Sequence, residues 1–216
     1  RFLLEIYKAV RAKTSENFIV SVKLNSADFQ RGGITEEEVI QVFKAIDDAG
    51  IDLIEVSGGT YEAPAMAGAK ADKRKESTIA REAYFLDFAE KIRKEVKCQL
   101  MVTGGFRTAQ GMNAALDSGA CEFIGIARPL AVETDVTNNL IAGRDVRYAV
   151  EQIKTGIPFV DKMAIMEILW YAAQFKAIGE GKKPNPKLSP LKVFFNYAKN
   201  NVKAVIQGRV NSRKSA

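Results

Sequence analysis

Ile19-Val20-Ser21-Val22-Lys23-Leu24-Asn25 is the stretch on which the fold class turns. Val20, Val22 and Leu24 fall on one side of a two-residue repeat, and Ser21, Lys23 and Asn25 fall on the other. The pattern predicts a strand over 18–24 with one aliphatic face and one mixed face. It recurs over 52–57, where Ile54 and Val56 oppose Leu53, Glu55 and Ser57. Over 99–103, Leu100 and Val102 oppose Gln99, Met101 and Thr103, and over 121–127, Ile124 and Ile126 oppose Phe123, Gly125 and Ala127.

Helical patterns separate these runs. Thr35-Glu36-Glu37-Glu38 reads as a capping box with acidic residues in the first turn, and Val39, Ile40, Val42, Phe43 and Ile46 continue it at helical spacing until Gly50. A long basic, Gly- and Ala-rich loop over 58–77 precedes a second helix expected over 78–96. Loops of that length inside compact domains are usually functional or mobile. Alternating strands and helices predict a parallel sheet.

A doubly wound sheet, covered on both faces, reads as continuously apolar, whereas a (β/α) barrel tolerates polar layers inside it. The alternation therefore favours a barrel. A closed TIM barrel takes eight strands, so four such runs predict half of one, with two unpaired edges. After Pro129 the pattern becomes helical, with Val146, Val150 and Ile153, then 163–175, then a loop punctuated by Pro184, Pro186 and Pro190, and a final basic amphipathic helix.

Composition narrows the chemistry. The chain has 216 residues, 47% hydrophobic and 27% charged, the balance of a soluble globular protein. Its formal charge is +6, but nine basic residues and no acidic ones lie from Gly181 onward, which leaves 23 basic against 26 acidic elsewhere. The basicity belongs to the tail. There is no histidine, and Cys98 and Cys121 form no C-x-x-C pair, which excludes zinc fingers, His-ligated metals and Ser/His or Cys/His triads. Each cysteine flanks an apolar run and reads as a small buried hydrophobe in a reducing compartment. No secretory signal or long apolar stretch is seen, so a cytoplasmic location without membrane contact is expected. The chain opens at Arg1 directly on the amphipathic pattern Phe2, Leu3, Ile6, Ala9 and Val10, as the middle of a longer protein would.

In barrels of this class the site lies at the C-terminal strand ends, with phosphate often held after the seventh and eighth strands. Thr103-Gly104-Gly105-Phe106 places two glycines where backbone N–H groups can approach an oxyanion, and Thr108 is placed to cap the next helix. Gly125-Ile126-Ala127-Arg128 ends its run in a small residue followed by a guanidinium able to fork onto phosphate oxygens. Together the two loops point to phosphate binding.

These residues also carry a family resemblance. Val22-Lys23-Leu24, Ile54-Glu55-Val56-Ser57-Gly58-Gly59-Thr60-Tyr61, Val102-Thr103-Gly104-Gly105-Phe106-Arg107 and Ile124-Gly125-Ile126-Ala127-Arg128-Pro129-Leu130, in that order, resemble the C-terminal half of an Old Yellow Enzyme-type NAD(P)H:flavin oxidoreductase, or ene-reductase. Arg1-Phe2-Leu3-Leu4-Glu5-Ile6 resembles that family's helix before its fifth strand. The resemblance implies an α/β fold comprising strands five to eight of an FMN-binding (β/α)8 barrel over 1–135 and a helical extension with a basic tail over 136–216. It implies hydride transfer from NADH or NADPH through FMN to the β-carbon of an activated alkene.

Residue by residue, the resemblance places Thr103, Gly104, Gly105 and Phe106 in the FMN-phosphate loop and Ala127 and Arg128 in its partner. Lys23 matches a basic residue, usually Arg, beside the flavin N1, where a cation stabilises the anionic reduced ring. The residues alone allow another role for Lys23, an ion pair with Glu55. Ser57 and Tyr61 fall where they can touch substrate or be inert. The family's substrate-gripping His/Asn or His/His pair, and usually its proton-donating Tyr, belong to an N-terminal half that this chain lacks, so no catalytic residue is expected here, and activity is expected to need that half. A phosphate-binding isomerase or aldolase barrel remains the alternative enzyme. In the tail, Lys192, Lys199 and Lys203 beside Phe194, Phe195 and Tyr197 suit nucleic acid, but a helix burying Leu191, Phe194, Phe195, Val202 and Val205 accounts for them better.

Overall fold

In a computed structural model of the chain, described over residues 1–27, 32–58, 85–144, 153–162 and 165–200, four strands form one parallel sheet in sequence order. The strands are β1 (Ser21–Asn25), β2 (Leu53–Ser57), β3 (Gln99–Thr103) and β4 (Phe123–Gly125). They are interleaved with α1 (Phe2–Arg11), α2 (Glu36–Asp48), α3 (Leu86–Ile92) and α4 (Ala109–Asp117). Then come α5 (Arg128–Val132), α6 (Val136–Ile141), α7 (Pro158–Lys162), α8 (Ile165–Gly179) and a helix α9 over 190–200. Among the described residues no helix is long and apolar enough to cross a membrane.

The chain divides into two compact units. One holds the described residues of Arg1–Ala127 and Thr137–Ala149, and the other holds those of Arg128–Val136 and Val150–Ala216. In the first, Ile54, Val56, Leu100 and Val102 are fully buried under Phe43, Ile46, Leu86 and Ile92. Each such side chain contributes roughly 1.5–3 kcal/mol by leaving water. Phe43 meets Phe88 edge to face, with centroids 5.5 Å apart. The expected capping box is present: Glu38 N–H donates to Thr35 Oγ1 (3.2 Å), and Thr35 N–H donates to Glu38 Oε2 (2.9 Å). Past the end of α2, Gly50 turns with φ +93°, and its carbonyl accepts the Tyr7 hydroxyl at 2.6 Å, which ties α1 to that turn.

Two strands are shorter than the alternation predicts. β1 begins at Ser21, with Phe18 55% and Ile19 72% exposed, because the Asp52 carboxylate takes the Val20 N–H at 2.7 Å while bonded to the Arg11 guanidinium. Arg11 also donates to the Phe18 carbonyl at 2.7 Å. Before β4, the Glu122 carboxylate takes the Leu100 N–H at 2.7 Å, so Cys121 and Glu122 stand outside the strand. The helix expected over 78–96 spans Leu86–Ile92 among the described residues. Past its end, Arg93 donates to the carbonyls of Val96 and Cys98, which fixes the turn into β3. Residues 78–84 of that expectation lie outside the described residues.

In the second unit, Trp170, Met166, Val160 and Val193 form the core. Trp170 Nε1–H donates to the Leu188 carbonyl at 2.8 Å. Buried Gln174 donates to the Asn185 carbonyl (2.9 Å) and accepts the Asn185 N–H (2.8 Å), so the proline-rich loop is laid down along α8. The tail helix was expected to bury Leu191 and Phe195, but both are exposed. Val193 is buried and Phe194 half-buried, so the inward face is turned by about one residue from that expectation. Val202 and Val205 lie outside the described residues.

Candidate functional site

The face of the sheet opposite its aliphatic core is built in register. Lys23, Glu55, Met101 and Phe123 stand side by side across the four strands. One step nearer the C-terminal ends, Asn25 pairs with Ser57 and Thr103 pairs with Gly125. A polar row therefore lies along the edge where parallel α/β sheets place their ligands.

Lys23 Nζ bonds Glu55 Oε1 at 2.5 Å, with the lysine side chain 51% exposed and the glutamate 19% exposed. The ion-pair role is thus realised between neighbouring strands, and the ammonium acts toward any ligand as half of a dipole. Ser57 is buried at the last position of β2. Its Oγ lies 3.4 Å from both the Leu24 carbonyl and Asn25 Oδ1, so its proton is engaged within the strand ends. Tyr61 lies outside the described residues, as does most of the loop over 58–77.

Past Thr103, the turn is made by Gly104 and Gly105, with φ +120° and +98°, a backbone that side-chain-bearing residues rarely adopt. Phe106 is fully buried and anchors the turn in the core. Thr108 caps α4 as expected, its Oγ1 accepting the Gly111 N–H at 3.0 Å. Ala127 is exposed just past β4. Arg128 opens α5 in the second unit, 3.9 Å from Glu167. That separation is longer than a charge-assisted hydrogen bond. Burial raises the Glu167 carboxyl above its ordinary value, against the opposing pull of Arg128.

Two further features complete the edge. Thr103 Oγ1 is buried and has no hydrogen-bond partner, and it fills the space that a Cβ on Gly125 would take. The glycine pair in left-handed backbone is the feature of this edge that suits a compact, acceptor-rich group. A phosphate ester has that chemistry, and the strand ends fit the phosphorylated flavin that the resemblance implies. Gly125 was visible in the sequence only as a glycine inside a strand, which marks a close approach. The commitment of Ser57 to Asn25 depends on register and had no local signal.

Burial pushes the Cys98 thiol up to about 12, with the neighbouring Asp47 adding to it, and pushes Cys121 up to about 11.

Comparison with known proteins places the chain. It is 31% identical over 193 residues to the NADH-dependent flavin oxidoreductase iccE of Talaromyces variabilis, which covers 83% of this chain and 47% of that one. It is 42% identical over 137 residues to the NADH-dependent flavin oxidoreductase iliE of Neonectria sp. (strain DH2), covering 61% of this chain and 18% of the relative. The chain thus spans less than half the length of these relatives. Among solved structures, a 2-naphthoyl-CoA reductase superposes with a TM-score of 0.59 at 22% identity, over 76% of this chain and 26% of that one, a likeness of fold. The profile of the NADH:flavin oxidoreductase / NADH oxidase family matches residues 1–146. With two thirds of its length inside that profile, the chain belongs to the NADH:flavin oxidoreductase / NADH oxidase family, a family of FMN-using oxidoreductases.

Proposed function

We propose that this chain is the FMN-phosphate-bearing half of a (β/α)8-barrel oxidoreductase that passes hydride from NADH, the reductant named for both fungal relatives, to an activated alkene. The second unit is the helical extension of that barrel. When bound, FMN supplies the two-electron step. The observation that carries this reading is the turn of Gly104 and Gly105 in left-handed backbone just past β3, within a chain matching the family profile.

The chain's own residues divide the work. Gly104 and Gly105 bring backbone N–H groups to the phosphate, and Phe106 holds the turn that presents them. Ala127 keeps the neighbouring strand end free of bulk, and Arg128 supplies a guanidinium that balances phosphate charge. Lys23, tied to Glu55, tunes the field beneath the flavin ring; the pairing makes it a weaker counter-charge than a lone cation. Ser57 and Tyr61 are assigned to the substrate side. In Ser57, the engagement with Asn25 makes shape, and not proton donation, the contribution. The substrate-gripping and proton-donating groups belong to the complementary N-terminal half, which this chain requires for turnover.

The test is ligand selectivity in the chain assembled with that half. Arg128→Ala is expected to weaken FMN by about tenfold, the worth of one charge-assisted contact, and to change riboflavin by much less. Equal losses for the two ligands would remove Arg128 from the phosphate and take the charge assignment with it.

A further inference from the structure

Arg128 and Glu167 belong to the same compact unit. Arg128 is the first residue of α5, and α5 packs against α8, whose first turn carries Glu167. The Arg128 side chain is 24% exposed and the Glu167 side chain 20% exposed, with 3.9 Å from Arg128 Nη1 to Glu167 Oε2. Pro129 and Ala131 of α5 are buried, so packing fixes the base of the arginine side chain while the carboxylate faces its charged end. Glu167 lies beyond residues 1–146, the span that the family profile matches. A carboxylate so far withdrawn from water is unfavourable: burial raises the Glu167 carboxyl against the opposing pull of Arg128. An apolar side chain would pack there without that penalty, so the charge calls for a reason.

We propose that Glu167 is a positioning residue: from the helical extension it holds the Arg128 guanidinium in the orientation that meets the phosphate of FMN. The inference rests on the FMN reading above and adds to it a role for a residue of the extension. At 3.9 Å the carboxylate attracts the guanidinium without taking one of its N–H groups in a close hydrogen bond. A guanidinium carries five N–H donors on a planar fork, so one side can lie along a carboxylate while another meets a phosphate. Glu167 acts through Arg128 and does not itself touch the ligand.

A carboxylate beside a phosphate repels it, so positioning and plain repulsion predict opposite signs. The test is a double-mutant cycle in the chain assembled with its complementary half, with FMN and riboflavin dissociation constants read by flavin fluorescence quenching. Glu167→Gln keeps the shape of the side chain and removes its charge. It is expected to raise the FMN dissociation constant about fivefold and to change riboflavin by less than about twofold. In the Arg128→Ala background the same substitution should change FMN by less than about twofold, because no guanidinium is left to position. A variant that has lost its fold would lose both ligands alike, which the riboflavin arm detects.

Tighter FMN binding by Glu167→Gln means that the carboxylate only opposes the phosphate, and it overturns the proposal. Unchanged FMN binding, an equal loss of riboflavin, or full additivity with Arg128→Ala overturns it as well. If the wild-type assembly binds no FMN, or Arg128→Ala binds it as the wild type does, the FMN reading or its Arg128 assignment fails and the role of Glu167 goes with it. If Arg128→Ala weakens FMN and Glu167→Gln does not, only the role of Glu167 fails.

Discussion

Lys23 and Glu55 face each other in register on β1 and β2, and the lysine side chain is half-exposed. An exposed pair contributes about 0–1 kcal/mol, so Lys23→Met should shift the unfolding midpoint little, and Glu55→Gln should add nothing measurable to it. In the assembled barrel, the same Lys23→Met should lower the flavin reduction potential, because the reduced ring loses its counter-charge. An unchanged potential would leave Lys23 a purely structural residue. Two carboxylates set the acid limit. Asp52 is held below its ordinary value first by the Val20 N–H, then, against burial, by Arg11. For Asp47, burial works upward, but the N–H groups of Cys98 and Lys97 outweigh it. A depressed folded-state value stabilises above the ordinary carboxylate range and is lost as pH falls through it. The midpoint should therefore be flat near neutrality and drop below about pH 4, and Asp52→Asn should flatten the drop. The alternation showed which residues would face the core and which would share the mixed face, Lys23 beside Glu55 included. It did not show that Asp52 would cap β1, because that contact joins residues 32 positions apart.

The elements begin and end where side chains take over backbone hydrogen bonds. Thr35 at the head of α2 and Thr108 at the head of α4 both act as N-caps. Replacing either with Ala should cost about 1 kcal/mol in a denaturant titration. Thr108→Ala should leave FMN affinity nearly intact, since its hydroxyl oxygen serves as the cap of α4 by accepting the Gly111 N–H. A large FMN loss there would move the phosphate toward α4. These caps were legible because a capping box is a local pattern. The true starts of β1 and β4 were not, because Asp52 and Glu122 act from outside their own strands. The inward face of α9 was misjudged for the same reason: Val193 is selected by its neighbours on α8, and amphipathic spacing alone did not distinguish it from Leu191.

Among the described residues, the sheet ends at β1 on one side and β4 on the other, and each outer strand presents an unpaired edge. Phe2, Ile6 and Val10 form an exposed apolar stripe along α1, and Phe18 and Ile19 stand exposed before β1. Unpaired edges flanked by apolar surface are a template for pairing with another chain or segment. The proposed half-barrel would present such a surface, and the chain spans less than half the length of these relatives. On its own, the chain is expected to self-associate or to lose fixed aromatic signals in near-ultraviolet circular dichroism. The most direct test is to titrate FMN into this chain alone, into a complementary N-terminal half alone, and into their equimolar mixture, and to read bound flavin after gel filtration. The half-barrel reading requires that only the mixture elute as a one-to-one complex carrying FMN. A sharp monomer of this chain that retains FMN by itself would contradict it.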